Sequence, residues 1–319
     1  MRIEEMSVEE LLQYQGKSPC PADLDSYWQA ALKEMRQVDP QLELVPADFS
    51  APFAECFDLY FTGVRGARIH AKLLRPRSVS KPGPALLEFH GYSGNCGDWY
   101  SKLGYVAAGF VVVAMDCRGQ GGSSEDVGAV KGGTLHGHII RGLNDQPENM
   151  LYRQIFLDTA QLAGLVMAMD QVDETRVGAR GFSQGGALTL ACAALEPRIK
   201  RLLPVYPFLS DYKRVWELDL ETPAYIELRQ YFRLFDPLHQ REEQIFTRLG
   251  YIDVQNLVAR IQGQVLMAIT MRDNICPPST QFAAYNKIRA PKQMLLYNDH
   301  SHEALPQIED HAFRFFSAL

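Results

Sequence analysis

Gly181-Phe182-Ser183-Gln184-Gly185-Gly186 lies between a short apolar run at 176–179 and a helical pattern at 186–195 that carries Leu188, Leu190 and Ala194. A strand that turns sharply at a serine and leaves as a helix has little room beside the turn. Gly181 and Gly185 supply the small residues that let the two backbones approach. Such a turn projects the Ser183 hydroxyl. It also places the backbone N–H of Gln184 at the positive end of a helix, where an oxyanion would be stabilised. The same letters also describe a serine N-cap in a glycine-rich turn. The flanking strand and helix favour a nucleophile.

Outward from this turn, apolar runs at 85–89, 110–115, 202–206, 264–270 and 293–297 alternate with helical patterns at 155–169, 280–288 and 311–319. Buried strands alternating with helices predict an α/β fold, with a predominantly parallel central sheet and helices on both faces. Ligands then belong at the carboxyl ends of the strands. Ahead of this core, 57–62 and 69–74 alternate as an antiparallel hairpin around a turn at 63–66. The whole chain, 1–319, reads as one domain. Residues 1–50 form a helical extension with short helices near 11–15 and 27–35, and residues 210–252 form a charged helical insertion. A glycine-rich loop is expected over 125–150.

Composition narrows the function. With 46% apolar and 22% charged residues the 319-residue chain is not disordered, and it is long enough to bury a core without staples. There are 32 Lys plus Arg against 38 Asp plus Glu, a net charge of -6, and no basic run on a predicted helix. That disfavours nucleic acid and anionic membranes as partners. The acidic start, residues 1–6, has no apolar core of a signal peptide, and the apolar run at 109–115 is too short to span a bilayer. Six cysteines without CxxC spacing imply reduced thiols and a cytoplasmic location. His-x-His pairs at 136–138 and 300–302 come without HExxH, so no metal site is expected.

A serine nucleophile needs a base and an acid that orients it, in the chain order Ser, acid, His. Asp273 follows the strand at 264–270, in a loop stiffened by Pro277-Pro278, and Asp211 and Asp253 are competing acids. Asp273 is favoured because the next strand ends in His300-Ser301-His302, which puts both loops at one sheet edge. Either histidine has the chemistry of the base, and local pattern does not choose between them. His90-Gly91-Tyr92-Ser93-Gly94 follows the strand at 85–89, where Tyr92 can give a second oxyanion N–H through its backbone. His90 reads as support for that loop. Asp116-Cys117-Arg118-Gly119-Gln120-Gly121-Gly122 lacks the full phosphate-binding pattern. It is expected to approach the site by its backbone, braced by an Arg118–Asp116 pair. Cys276 has no elbow of its own and is not read as a nucleophile.

Placed together, these segments resemble the acetyl xylan esterases and cephalosporin C deacetylases of carbohydrate esterase family seven, over nearly the entire chain. The resemblance rests on His90-Gly91-Tyr92, Arg118-Gly119-Gln120-Gly121, the Ser183 motif and Tyr206-Pro207-Phe208-Leu209-Ser210-Asp211. Asp273 with Pro277-Pro278-Ser279-Thr280 and His302-Glu303 complete it. It implies an α/β-hydrolase fold with Ser183 as nucleophile, Asp273 as acid and His302 as base. Backbone donors from Tyr92 and Gln184 would form the oxyanion hole. No metal or organic cofactor is implied. It further implies a homohexamer, a trimer of dimers with sites facing an interior cavity. Its substrates would be small acetylated carbohydrates such as acetylated xylo-oligosaccharides, or an acetylated antibiotic such as cephalosporin C. A small acyl pocket is expected near Tyr92, Pro207 and Phe208. Another short-chain carboxylesterase, or a noncatalytic binding protein on the same fold, is the alternative.

Overall fold

The strands anticipated above join in one sheet. The computed structural model describes residues 5–78, 80–126, 137–219, 222 and 225–319, and all structural statements refer to these. The strands are β1 (Glu43–Pro46), β2 (Ala54–Thr62), β3 (Arg68–Pro76), β4 (Gly83–Phe89), β5 (Val111–Met115), β6 (Val172–Phe182), β7 (Arg201–Val205), β8 (Gln264–Thr270) and β9 (Lys292–Tyr297). They lie in the order β1-β2-β3-β5-β4-β6-β7-β8-β9. Pairing is antiparallel from β1 to β5 and parallel from β5 through β4 to β9. β5 is buried at every position, which its Val-Val-Val-Ala-Met sequence requires of a strand covered on both faces. This is an α/β-hydrolase sheet.

The helices are α1 (Val8–Gln13), α2 (Leu24–Arg36), α3 (Leu103–Ala107), α4 (Leu151–Met167), α5 (Gln184–Leu195), α6 (Tyr212–Glu217), α7 (Ile226–Phe235), α8 (Glu242–Leu249), α9 (Pro278–Lys287) and α10 (Ile308–Phe316). α5 is buried along its whole length, between the sheet and α4. Its composition of Ala, Leu and Gly allows that close approach. α6, α7 and α8 occupy the 210–252 segment between β7 and β8.

Residues 1–50 hold more than helices, because Glu43–Pro46 adds β1 to the edge of the sheet. Four mostly exposed residues without alternation carry no strand signal of their own, and β2 provides it by pairing. The rest of this segment is stapled to the core. Tyr14 donates its hydroxyl proton to Asp211 Oδ2 at 2.7 Å, and the Lys17 and Ser18 N–H groups donate to Asp211 Oδ1 at 2.9 and 2.8 Å. Asp253 accepts from the Asp211 N–H at 3.0 Å, and burial pushes its carboxyl up to about 6. Both competing acids thus hold the extension and insertion together. Of the 125–150 loop, residues 127–136, including His136, lie outside the described residues.

Arg118 does not pair with Asp116. Its guanidinium forms a two-pronged bond with Asp158 of α4, Nε to Oδ2 at 2.7 Å and Nη2 to Oδ1 at 2.6 Å, and both side chains are buried. Asp116 instead accepts from His70 Nδ1 at 2.7 Å and from the N–H groups of Cys96 and Ser123. Removing one member of a buried pair leaves a charge uncompensated. Asp158→Ala is therefore expected to lower unfolding free energy by roughly 3–5 kcal/mol. Urea denaturation of wild type and variant checks this, and a loss below about 1 kcal/mol would contradict it.

Candidate active site

β6 delivers its chain to Ser183, which adopts φ 57°, ψ −119°. A non-glycine residue held at positive φ costs on the order of 1–3 kcal/mol. The bonds around it hold it there. Ser183 N–H donates to Val205 O at 3.0 Å, and its own carbonyl accepts from Phe208 and Ala187 N–H at 3.0 and 3.1 Å. A Cβ on Gly181 would lie 2.4 Å from the Gly185 carbonyl, and one on Gly185 only 1.9 Å from Phe89 O. Gln184 is the first residue of α5, so its N–H has no acceptor within the helix. Dipole and free donor meet beside the hydroxyl.

β8 and β9 bring in the other two groups. Asp273 is buried, and its Oδ1 accepts the N–H groups of Ile275 and Cys276, both at 2.8 Å. Oδ2 accepts from Thr270 Oγ1 at 3.1 Å and lies 2.8 Å from His302 Nδ1. That contact leaves His302 Nε2 free of the carboxylate. Tyr206, at φ 31°, packs its ring 4.6 Å from the imidazole and donates its hydroxyl proton to Glu303 O at 3.0 Å. His300 lies apart: its carbonyl accepts from Arg272 N–H at 3.0 Å and its ring stands edge-on to Tyr297. The Cys276 thiol is buried, and burial together with Asp273 raises its pKa well above that of a free thiol. It is held as a neutral thiol.

Tyr92 follows the end of β4 in a turn closed by Gly94 N–H to Gly91 O at 3.0 Å, with Ser93 at φ 58° as a type II turn requires. His90 supports this turn. Its Nδ1–H donates to Gly91 O at 2.7 Å, its Nε2 accepts the Cys117 N–H at 3.0 Å, and burial lowers its pKa. Gln120 links the turn to the elbow. Its Oε1 accepts Ser93 N–H at 2.9 Å and Gln184 Nε2 at 3.0 Å, while its Nε2 donates to Gln184 Oε1 at 2.9 Å. Tyr152 donates to the same Gln184 oxygen at 2.6 Å. Pro207 and Phe208 are buried beside the turn, with Phe208 edge-on to Tyr92 at 5.6 Å. Gln120 belongs to the glycine-rich stretch after β5, but no local sequence signal gives it this bridging place, and Tyr206 likewise gains its place only from the fold.

Two clusters bring metal-ligating atoms within 4.8 Å of one another, His70/Cys96/Asp116 and Asp273/Cys276/His302. In each, the imidazole is already bonded to the carboxylate, and backbone N–H groups fill the remaining carboxylate positions. The geometry is that of oriented hydrogen bonds rather than a cation cage.

The chain matches the acetyl xylan esterase family over residues 1–319. It is a member of that family. The family's enzymes are hydrolases acting on acetyl esters. Acetyl xylan esterase 1 from Thermoanaerobacterium sp. JW/SL YS485 is 60% identical, with 98% of this chain and 99% of that one covered at a TM-score of 0.95. The acetyl xylan esterase from Paenibacillus sp. R4 is 36% identical over the same shares, at a TM-score of 0.92. Acetyl esterase Axe7A of Xylanibacter ruminicola is 26% identical over 287 residues, 88% of this chain. The chain spans 63% of the length of that curated relative.

Gly185 is the tightest point of this arrangement. Gly185→Ala would drive a methyl group into Phe89 O, so α5 must shift off β4. Overpacking of this kind costs about 1–3 kcal/mol. Thermal unfolding should show a clear fall in midpoint, and an unchanged midpoint would contradict the close contact.

Proposed function

We propose that this protein is a serine esterase that removes acetyl groups from small carbohydrates, acetylated xylo-oligosaccharides among them. The observation that carries this is the His302–Asp273 bond of 2.8 Å, made by the loops that follow β8 and β9 on the sheet that also presents Ser183 at its strained turn. Ser183 Oγ attacks the acetyl carbonyl while His302 Nε2 takes its proton, and Asp273 holds the imidazole through Nδ1. The oxyanion rests on the backbone N–H groups of Tyr92 and Gln184. The imidazolium protonates the departing sugar alcohol, leaving acetyl-Ser183. Water then attacks with His302 again as base, and acetate leaves as the serine is restored. These steps draw on side chains and backbone alone.

Family membership and the 60% identity to an acetyl xylan esterase support the acetyl preference. So does the edge-on packing of buried Phe208 against Tyr92, with buried Pro207 next to it in the chain, which we read as a short wall for the acyl group. Cephalosporin C, an acetyl ester of similar size, belongs to the same proposed substrate range. On one leaving alcohol, acetyl esters should be turned over faster than butyryl esters. The methylenes that strike the wall each cost about 1–3 kcal/mol. Equal or better octanoyl turnover would refute the small pocket.

The base is tested by two variants, with chain size and circular dichroism compared first. His302→Ala should lower kcat by roughly 10²–10⁴-fold, whereas His300→Ala should keep most activity. The reverse pattern would overturn the assignment.

The assembly proposed is a homohexamer, a trimer of dimers. The end of α7 and the following turn expose Leu234 and Leu238, at 73% and 76%, beside the half-exposed Phe235. Such an apolar patch on the insertion fits a contact between copies. Sedimentation equilibrium should give six times 36.0 kDa, and a monomer across the concentration range would contradict it. We also place the protein in the cytoplasm: its six cysteines are free, as in a reducing compartment, and no described helix is long and apolar enough to cross a membrane.

A further inference from the structure

Glu227 lies on α7 of the insertion, 1% exposed, and faces hydrogen-bond donors from two other segments. Tyr92 Oη donates to its Oε1 at 2.5 Å, and the N–H groups of Ile139 and Ile140 donate to its Oε2 at 3.0 and 3.3 Å. The remaining titratable groups around it are aromatic. The His138 ring packs 4.8 Å from that of Tyr92, and His138 N–H donates to Tyr92 Oη at 3.2 Å. Tyr152 and Tyr212, both buried, sense its charge. Burying a carboxyl here is costly to the fold. An apolar side chain at this point of α7 would spare that cost but leave the Tyr92 hydroxyl and the Ile139 and Ile140 N–H groups without their acceptor, so the carboxyl has a role in tying α7 to both segments.

A further role follows from what Tyr92 carries. Its ring is a stiff lever between the phenol and the backbone of the 91–94 turn, and Gln120 already fixes the other side of that turn through Ser93 N–H. We propose that Glu227 is a positioning residue for the esterase reaction: by anchoring the Tyr92 phenol it holds the Tyr92 backbone N–H where the oxyanion forms. This rests on the serine-esterase reading given above. It makes the insertion, rather than the core sheet alone, part of the oxyanion machinery.

The anchoring form is the carboxylate, which accepts all three donors. A protonated Oε1 would instead donate toward Tyr92 Oη, which already accepts from His138 N–H, and the phenol proton would have to turn away. Burial pushes the Glu227 carboxyl up to about 7. Its folded pKa thus exceeds the unfolded one, so its contribution to stability is present at low pH and lost as pH rises through about 7. Its contribution to turnover runs the opposite way. Stability and catalysis draw on different protonation states of one group.

The test compares kcat and KM of wild type, Glu227→Gln, Tyr92→Phe and the double variant on an acetyl ester between about pH 5.5 and 9, with hexamer content and unfolding midpoint measured on each. An amide offers one acceptor to three donors, so Glu227→Gln should lower kcat roughly 10–100-fold with KM nearly unchanged. Tyr92→Phe should do the same, and the double variant should be no worse than the poorer single. The ratio of wild-type to Glu227→Gln kcat should grow as pH rises through about 7. Independent, multiplying losses, or losses that track the unfolding midpoint, would show a structural role and overturn the proposal. So would wild-type kcat in Glu227→Gln. Should that variant fail to assemble, Tyr92→Phe deletes the same bond, and unchanged turnover there overturns the proposal equally. Ser183→Ala separates the two readings. If it is inactive while Glu227→Gln is normal, this inference alone fails; if it retains turnover, the esterase reading fails and takes this one with it.

Discussion

The site depends on one close approach, the backbone of Gly185 against Phe89 O at the ends of β4 and β6. These strands pair in parallel with Phe89 opposite Gly181, so both chains leave the sheet at the same level. One leaves as the Tyr92 turn and the other as the Ser183 elbow. Any side chain at Gly185 would pry them apart. The contact thus sets the spacing between the Ser183 elbow and the turn that follows Phe89, and Ser183 sits at positive φ beside it. The strain is met by hydrogen bonds to Val205, the last residue of β7, and to Phe208 just beyond it. Local strain at a reactive group, held by a rigid surround, is the usual form of pre-organisation.

Around this point the buried carboxyl groups are sorted by what each one faces. Asp273 meets two backbone N–H groups, a hydroxyl and an imidazole, and so orients His302. Asp158 meets a guanidinium, although burial still raises its carboxyl pKa above the usual range. Asp211 meets the N-terminal extension, and Asp253 beside it has its pKa raised by burial and by Asp211. Glu227 meets a phenol and two N–H groups. Identical chemical groups therefore do four kinds of work, and partner and burial decide which. Acidity alone would not have separated them.

That limit marks what could be read from the chain. The parallel sheet, the hairpin and the Ser183 turn were legible because each is written in local periodicity or in small residues at fixed offsets. The meeting of the Asp273 loop with the histidine segment at one sheet edge was legible through the order of strands. His300 and His302 were not separable locally, since residues two apart differ only in which way the loop turns them; in the structure the Arg272 N–H holds the His300 carbonyl and His302 bonds Asp273. The Arg118–Asp116 pairing failed because nearness along the chain is a poor guide for a long side chain, and Arg118 reaches across to α4 instead. β1 has no pattern of its own, and the role of Asp211 depends on residues nearly two hundred positions away. Glu227 belongs to the charged insertion, and nothing local in that segment tells the buried carboxyl from its exposed neighbours.

The central claim is that Ser183 is the reacting atom's carrier, and covalent trapping tests it most directly. The assembled protein would be treated with an organophosphorus ester, digested, and mapped by mass spectrometry. The account predicts one adduct per chain, on the peptide containing Ser183, appearing in step with the loss of acetyl-ester turnover. An adduct on Cys276 or on another serine, with Ser183 unmodified when activity is gone, would contradict it.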